Sequence, residues 1–159
     1  MRMNTRQPVH VLYGGAHLFR PDTVEKMGRL ALRSLEDGAL DELVEAKVAS
    51  RVRAKLKAEP LEDLRIDFED GYGIRPDGEE DRDAAEAGRR FREAYDAHGL
   101  SPLSGIRLRR DWRRAERTLK LFLDAAGVTP EGFVITLAKV SSAHEVERAA
   151  RAAPGIALE

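Results

Sequence analysis

Cysteine is absent from all 159 residues, which excludes disulfides and thiolate-held metals and fits a reducing compartment. No charge sign dominates either: 27 basic and 28 acidic side chains are interleaved and leave a formal net charge of -1. Such a chain has no summed field with which to draw nucleic acid or an anionic membrane surface, so neither partner is expected. No apolar run approaches the roughly 18 residues that a membrane span needs. The segment from Met1 to Pro8 is polar and lacks the apolar stretch of a secretory leader, so the sequence reads as cytoplasmic. Internal repeats and low-complexity tracts are missing too, which leaves one domain over residues 1–159 as the economical reading. What is present, 42% hydrophobic and 35% charged residues, suits a globular domain with a sizeable core.

Short β-rich runs alternate with longer helical ones, the pattern of βαβ units building a parallel sheet. Strands are expected near 9–13, 64–69, 103–109, 133–137 and 155–159. Asp22 with Glu25, Asp77 with Glu80, and Ser142 with Glu145 have capping-box spacing, and Asp111 is a fourth N-cap candidate. Gly38, Gly99 and Gly127 mark helix ends. Leu40, Val44, Val48, Val52 and Leu56 recur every fourth residue, predicting an additional helix over about 41–58 that looks inserted. The last run, Gly155 to Glu159, reads as a fifth strand with no helix after it, so the chain is expected to be incomplete.

Strand two carries the main functional signal. Because side chains alternate across a strand, Leu64, Ile66 and Phe68 share one face while Arg65, Asp67 and Glu69 share the other. Ile106 and Leu108 on strand three divide from Arg107 in the same way. If helices cover the apolar face, carboxylates and a guanidinium converge on the inner one, at the strand ends where α/β barrels hold their ligands. That arrangement suits an anionic ligand, while a structural ion-pair network is the alternative on the same pattern.

Three motifs in this order carry a resemblance. Arg65-Ile66-Asp67-Phe68-Glu69-Asp70-Gly71 is similar to the acidic strand-two motif of the magnesium-dependent citrate lyase and malyl-thioester lyase family of aldolases. Gly105-Ile106-Arg107 resembles that family's strand-three arginine motif, and Leu137-Ala138-Lys139-Val140-Ser141 its strand-four Leu-Pro-Lys-Val motif, with Ala138 in place of the proline. The resemblance implies the N-terminal half of a (β/α)8 TIM barrel and a carbon-carbon lyase for a 2-oxoacid or acyl-CoA substrate. It further implies that Glu69 and Asp70 sit beside Mg2+, that Lys139 supports them, and that Arg107 grips the substrate carboxylate in a bidentate manner. Tyr13 and Gly14, in the opening Tyr13-Gly14-Gly15-Ala16-His17 turn, join the expected substrate site. In that family the metal ligands come from strands five and six, so none is expected within the chain apart from Glu159, a weak candidate, and no turnover is expected from the chain alone. A homo-oligomer or a complementing C-terminal half is the expected partner, and a non-catalytic half-barrel used for binding or assembly is the alternative function.

Other readings fail on spacing. An EF-hand loop needs glycine where Tyr72 stands, and Gly71-Tyr72-Gly73 lacks the third glycine of a dinucleotide fingerprint. His17 could bind substrate or metal, but a lone histidine in a glycine turn reads first as structural. The basic run Arg107 to Arg114 reads as a solvated loop, because Trp112 belongs to the apolar stripe of a helix.

Overall fold

The computed structural model describes residues 7–38, 42 and 44–159. Its five strands are β1 (Val11–Gly15), β2 (Asp63–Asp67), β3 (Leu103–Leu108), β4 (Phe133–Leu137) and β5 (Ala157–Leu158), all parallel and hydrogen-bonded in sequence order. The helices are α1 (Thr23–Glu36), α2 (Ala46–Ala58), α3 (Asp77–Asp96), α4 (Trp112–Ala126) and α5 (Ala143–Ala152), and a 3-10 turn over Ala16–Leu18 follows β1. The protein is therefore a mixed α/β chain with helical crossovers between parallel strands.

Register decides which residues share a face. Tyr13, Arg65, Gly105, Val134 and Ala157 are in line, and so are Gly15, Asp67, Arg107 and Thr136. Neighbours in a parallel ladder point the same way, so these residues form one face and Leu64, Ile66, Phe68, Ile106, Leu108 and Ile135 form the other. The second set is buried with Phe91 and Phe122 from α3 and α4 in one hydrophobic core. Phe91, Phe122 and Phe133 contact one another with ring centroids 5.5 to 6.1 Å apart. Gly88 is what lets α4 lie so close on α3, since a Cβ there would meet the Phe122 carbonyl oxygen at 2.4 Å. Ala94 takes the last buried position of α3, whereas Tyr95 beside it is 40% exposed.

Strand limits differ from the expected ones for local reasons. The Val9 N–H donates to Glu62 Oε2 at 2.7 Å rather than to a ladder, and β1 starts two residues late. β2 stops at Asp67 because the Asp67 carboxylate accepts from the backbone N–H groups of Glu69 and Gly71, turning the chain there. Gly155 has a φ of +84°, a turn conformation, so β5 begins only at Ala157. Even so, Glu159 continues the ladder, donating to Ile135 O at 3.0 Å and accepting from Leu137 N at 2.8 Å.

The inserted helix is present as α2, packed on α1. Of the expected 41–58 span, residues 41 and 43 lie outside the described ones, as does Leu40 before it. Within α2 the buried position is Ala49, while Val48 is 39% exposed, so the fourth-residue stripe only skirts the contact. The capping boxes also resolve differently. Asp22 and Ser142 sit at N-cap positions without a capping bond; for α3 Pro76 holds that position, and Glu80 is buried in the interior.

Candidate functional site

Asp67 is the centre of the site. At the end of β2 it is 1% exposed, and four N–H donors converge on its two oxygens. Two are the loop N–H groups of Glu69 and Gly71, each at 2.8 Å. The others come from Arg107, whose Nε lies 2.8 Å from Oδ1 and whose Nη2 lies 2.6 Å from Oδ2. A paired, charge-assisted contact of this kind fixes the guanidinium plane as well as its position. From β1, Tyr13 presents its ring to the same guanidinium at 4.8 Å, a cation–π contact.

Lys139 closes the arrangement from beyond β4. Its Nζ donates to Glu69 Oε1 at 2.5 Å and to Asp70 Oδ1 at 3.2 Å. Arg107 Nη2 lies a further 3.5 Å from both Glu69 Oε2 and Asp70 Oδ2. Lys139 reaches these carboxylates from a left-handed backbone, φ +55°, which a residue other than glycine adopts only at an energetic cost. All three motif segments thus meet, and Ala138 in place of proline does not prevent it.

The charges reinforce one another. Hydrogen bonding to Asp67 holds the Arg107 guanidinium above its ordinary range, and bonds to Glu69 and then Asp70 do the same for the Lys139 ammonium. The Asp70 carboxyl is held below its ordinary range by hydrogen bonding to Glu69 and then to Lys139. These groups remain charged across the neutral range.

Gly14 does not join them. In register with Ile66, it belongs to the helix-facing side, and a Cβ at Gly14 would meet nothing within 4 Å. The neighbouring Gly15 is the close approach: a Cβ there would lie 2.2 Å from the Gly71 carbonyl oxygen and 2.8 Å from His17 Cε1. Alternation within one strand separates the two glycines.

Glu159 is engaged elsewhere. Its Oε2 is 3.2 Å from both Arg65 Nη1 and Thr136 Oγ1. Arg65 makes a two-bond contact with Asp63, Nε to Oδ1 and Nη2 to Oδ2, both at 2.7 Å, and the two side chains are 5% and 0% exposed. To reach Thr136 on β4 at 3.1 Å, Arg65 crosses β3 where Gly105 has no side chain. A cleft of about 930 Å3 borders this pair and includes Val11, Leu103, Val134 and Glu159 in its walls. The open inner face thus carries two acid–guanidinium pairs, Asp63–Arg65 and Asp67–Arg107.

These residues do not fit an inner-sphere metal. Mg2+ needs oxygen ligands near octahedral positions, yet Glu69 and Asp70 are tied to Lys139 and Glu159 to Arg65. Among the described residues no group of three His, Asp or Glu side chains comes together as a metal ligand set.

Alternation along strands could not reveal what lies behind the site. Glu80, fully buried, accepts from Thr118 Oγ1 at 2.6 Å and faces Arg109 and Arg114 at 3.1 and 3.2 Å. Arg109 Nη2 also donates to the Gly73 carbonyl, tying the loop after β2 to the end of β3. Within the run from Arg107 to Arg114, Arg109 and Arg114 thus turn inward to Glu80, while Arg110, Asp111 and Arg113 stay exposed as the charge suggested. Tyr72, 3% exposed, donates from its hydroxyl to Asp83 at 2.6 Å, and burial together with that bond pushes its phenol well above the usual range. The Asp77–Glu80 spacing and the aromatic in Gly71-Tyr72-Gly73 were the available signals, and both suggested other roles.

The profile of a family described as a domain of unknown function, DUF6986, matches residues 2–157. No curated protein and no solved structure matches the chain.

Proposed function

The chain belongs to the DUF6986 family, and from its own site residues we propose that it carries the substrate-carboxylate half of a carbon-carbon lyase site. The substrate class is a 2-oxoacid or an acyl thioester such as an acyl-CoA. The same proposal takes the sheet as the N-terminal half of a (β/α)8 barrel, for which the sequential parallel order and the bare inner face are the support.

One observation carries the reading: Arg107 is oriented but not saturated. Asp67 occupies its Nε–Nη2 edge, while no bond to Nη1 is found among the described residues and the side chain keeps 19% of its surface. A ligand carboxylate can meet the Nη1–Nη2 end, with Tyr13 beneath the plane. This corrects the simplest form of the expected bidentate grip, because the better edge is already used to set the geometry. Three carboxylates (Asp67, Glu69, Asp70) surround two cations (Arg107, Lys139), so a bound anion calls for an added cation. Magnesium held by residues outside this chain would supply that charge in a complete barrel and would act there as a Lewis acid. No ligand for it is assigned to this chain.

Calorimetric titration with oxalate, a planar stand-in for a 2-oxoacid enolate, tests the site with and without Mg2+. The wild-type chain is expected to bind, and Arg107→Lys to bind at least about tenfold more weakly, since an ammonium cannot satisfy Asp67 and a ligand carboxylate in one plane. Absence of binding under both conditions overturns the reading.

The bare inner face favours a second reading, a half-barrel that binds or assembles without catalysis. Parallel sheets are ordinarily covered on both faces, and β1 and β5 each leave one edge unpaired among the described residues. A second copy or a complementing half would cover them. Sedimentation at micromolar concentration separates the readings: a dimer that ignores oxalate supports assembly, and a monomer that binds oxalate rules it out.

A further inference from the structure

Glu69 and Asp70 meet Lys139 and Arg107 only while the turn that carries them keeps its place. That turn is short: the Gly73 N–H donates to the Glu69 carbonyl at 2.8 Å, and the Tyr72 N–H donates to the same oxygen at 3.2 Å. Its far side is in solvent, with Gly73 at a φ of +79° and Ile74 98% exposed. Two ties run to α3, the helix that follows it. The Tyr72 hydroxyl donates to Asp83, and Arg75, paired with Glu79, donates from Nε to the Tyr72 carbonyl at 3.2 Å. A third tie comes from the end of β3, the strand of Arg107, where Arg109 Nη2 donates to the Gly73 carbonyl at 3.1 Å.

The posture of Arg109 is set by that carbonyl. Arg65 and Arg107 each turn the Nε–Nη2 edge onto one carboxylate in two bonds. Arg109 does not. Its Nη2 is shared between the Gly73 carbonyl and Glu80 Oε2, at 3.1 Å from each, and its Nε is buried with no hydrogen-bond partner among the described groups. A buried N–H left unpaired is costly, and the two-bond posture on Glu80 would relieve it. Glu80 is in turn immobilised. It is fully buried, accepts from Thr118 Oγ1 at 2.6 Å, and faces a second guanidinium, Arg114, at 3.2 Å.

We propose that Arg109, held by Glu80, is a positioning residue of the anion site, fixing through Gly73 the turn that sets Glu69 and Asp70 against Lys139. Its use for a ligand rests on the anion-site reading above, whereas its geometry does not. The path is continuous. It runs from Glu80 to Arg109, from Arg109 to the Gly73 carbonyl, from the Gly73 N–H to the Glu69 carbonyl, and from Glu69 Oε1 to Lys139 Nζ at 2.5 Å. Arg109 is two residues past Arg107, so one strand end carries both the guanidinium of the site and the clamp on the acids beside it. The clamp thereby keeps Arg107 and Lys139 at a set spacing on either side of those acids.

An NMR titration of lysine ε-carbons in the full chain tests this at Lys139, whose signal is assigned with Lys139→Arg. Glu69 and then Asp70 hold that ammonium above its ordinary range, and Arg107 lies beyond the same two acids. Arg109→Met leaves Glu80 with Arg114 and Thr118, and is expected to shift the Lys139 titration down toward ordinary lysine as the carboxylates withdraw. Arg109→Gln, too short to reach Gly73, repeats the test with a polar side chain. Arg109→Lys keeps a donor for the Gly73 carbonyl and is expected to restore part of the shift. Arg114→Met takes a guanidinium from Glu80 but spares the Gly73 tie, so it is expected to lower the unfolding midpoint while Lys139 titrates as in wild type. Lys139 unmoved in both Arg109→Met and Arg109→Gln, or equally moved in Arg114→Met, overturns the clamp whether or not oxalate binds. A Lys139 shift confined to the Arg109 variants, in a protein that binds no oxalate, supports the clamp and overturns the anion-site reading alone.

Discussion

Arg65→Met is expected to destabilise the fold by about 3–5 kcal/mol, because it leaves the Asp63 carboxylate buried without its partner. Asp63 is fully buried and Arg65 is 4% exposed, so in the folded chain each depends on the other for its charge partner. The guanidinium joins β2 to Thr136 on β4 and to Glu159 beyond β5, and its loss also removes ties across three neighbouring strands. For a chain of this size the cost corresponds to a fall in Tm on the order of 10 °C. Chemical denaturation reads it directly. The double variant Asp63→Leu with Arg65→Met should regain much of the loss, since removing both charges leaves no uncompensated ion. A single variant within 1 kcal/mol of wild type would mean that Asp63 is hydrated and the pair is not structural.

Gly105→Ala should cost about 3 kcal/mol, the upper end for forcing an extra carbon into a packed interior. The added Cβ would lie 2.0 Å from the Val134 carbonyl oxygen and 3.2 Å from Arg65 Nη1. The first contact is backbone of the paired strand, so it yields only if β3 and β4 move apart. The second closes the passage by which Arg65 reaches Thr136. Gly14→Ala is the matched control, expected within about 0.5 kcal/mol because a Cβ there meets nothing within 4 Å. Unfolding midpoints of the two variants compare glycines that differ in the face they occupy. If they prove equally tolerated, the crossing of Arg65 over Gly105 is wrong.

The glycines show how far a sequence can be read. Gly14 and Gly15 look alike in a turn motif, and Gly14 was an expected ligand contact beside Tyr13; the register of β1 on β2, which pairs Gly15 with Asp67, decides which of them shares the inner face. The limit is physical, since alternation has period two and any error in a strand boundary exchanges the faces. Strand two was safe from that error because Leu64, Ile66 and Phe68 set against Arg65 and Asp67 mark its faces by polarity alone. The same polarity cannot distinguish the two guanidiniums. Arg65 and Arg107 both belong to the inner face, yet one is enclosed by Asp63, Thr136 and Glu159 and the other retains an open edge. Glu80 was misread as a cap because capping spacing and an inward turn of the helix produce the same residue pattern.

By itself the sequence determined the alternation of elements, the parallel sheet and the convergence of Asp67 and Arg107, because these follow from local periodicity and from the cost of burying unpaired charge. Only the tertiary structure decided that Asp67 takes the better edge of Arg107, that Arg65 and not Arg107 meets Glu159, and that His17 lies over Gly15. Those outcomes depend on which groups meet across strands and loops at separations of a few ångströms. Donor directions and backbone approach settle such meetings, and neither is written in residue order.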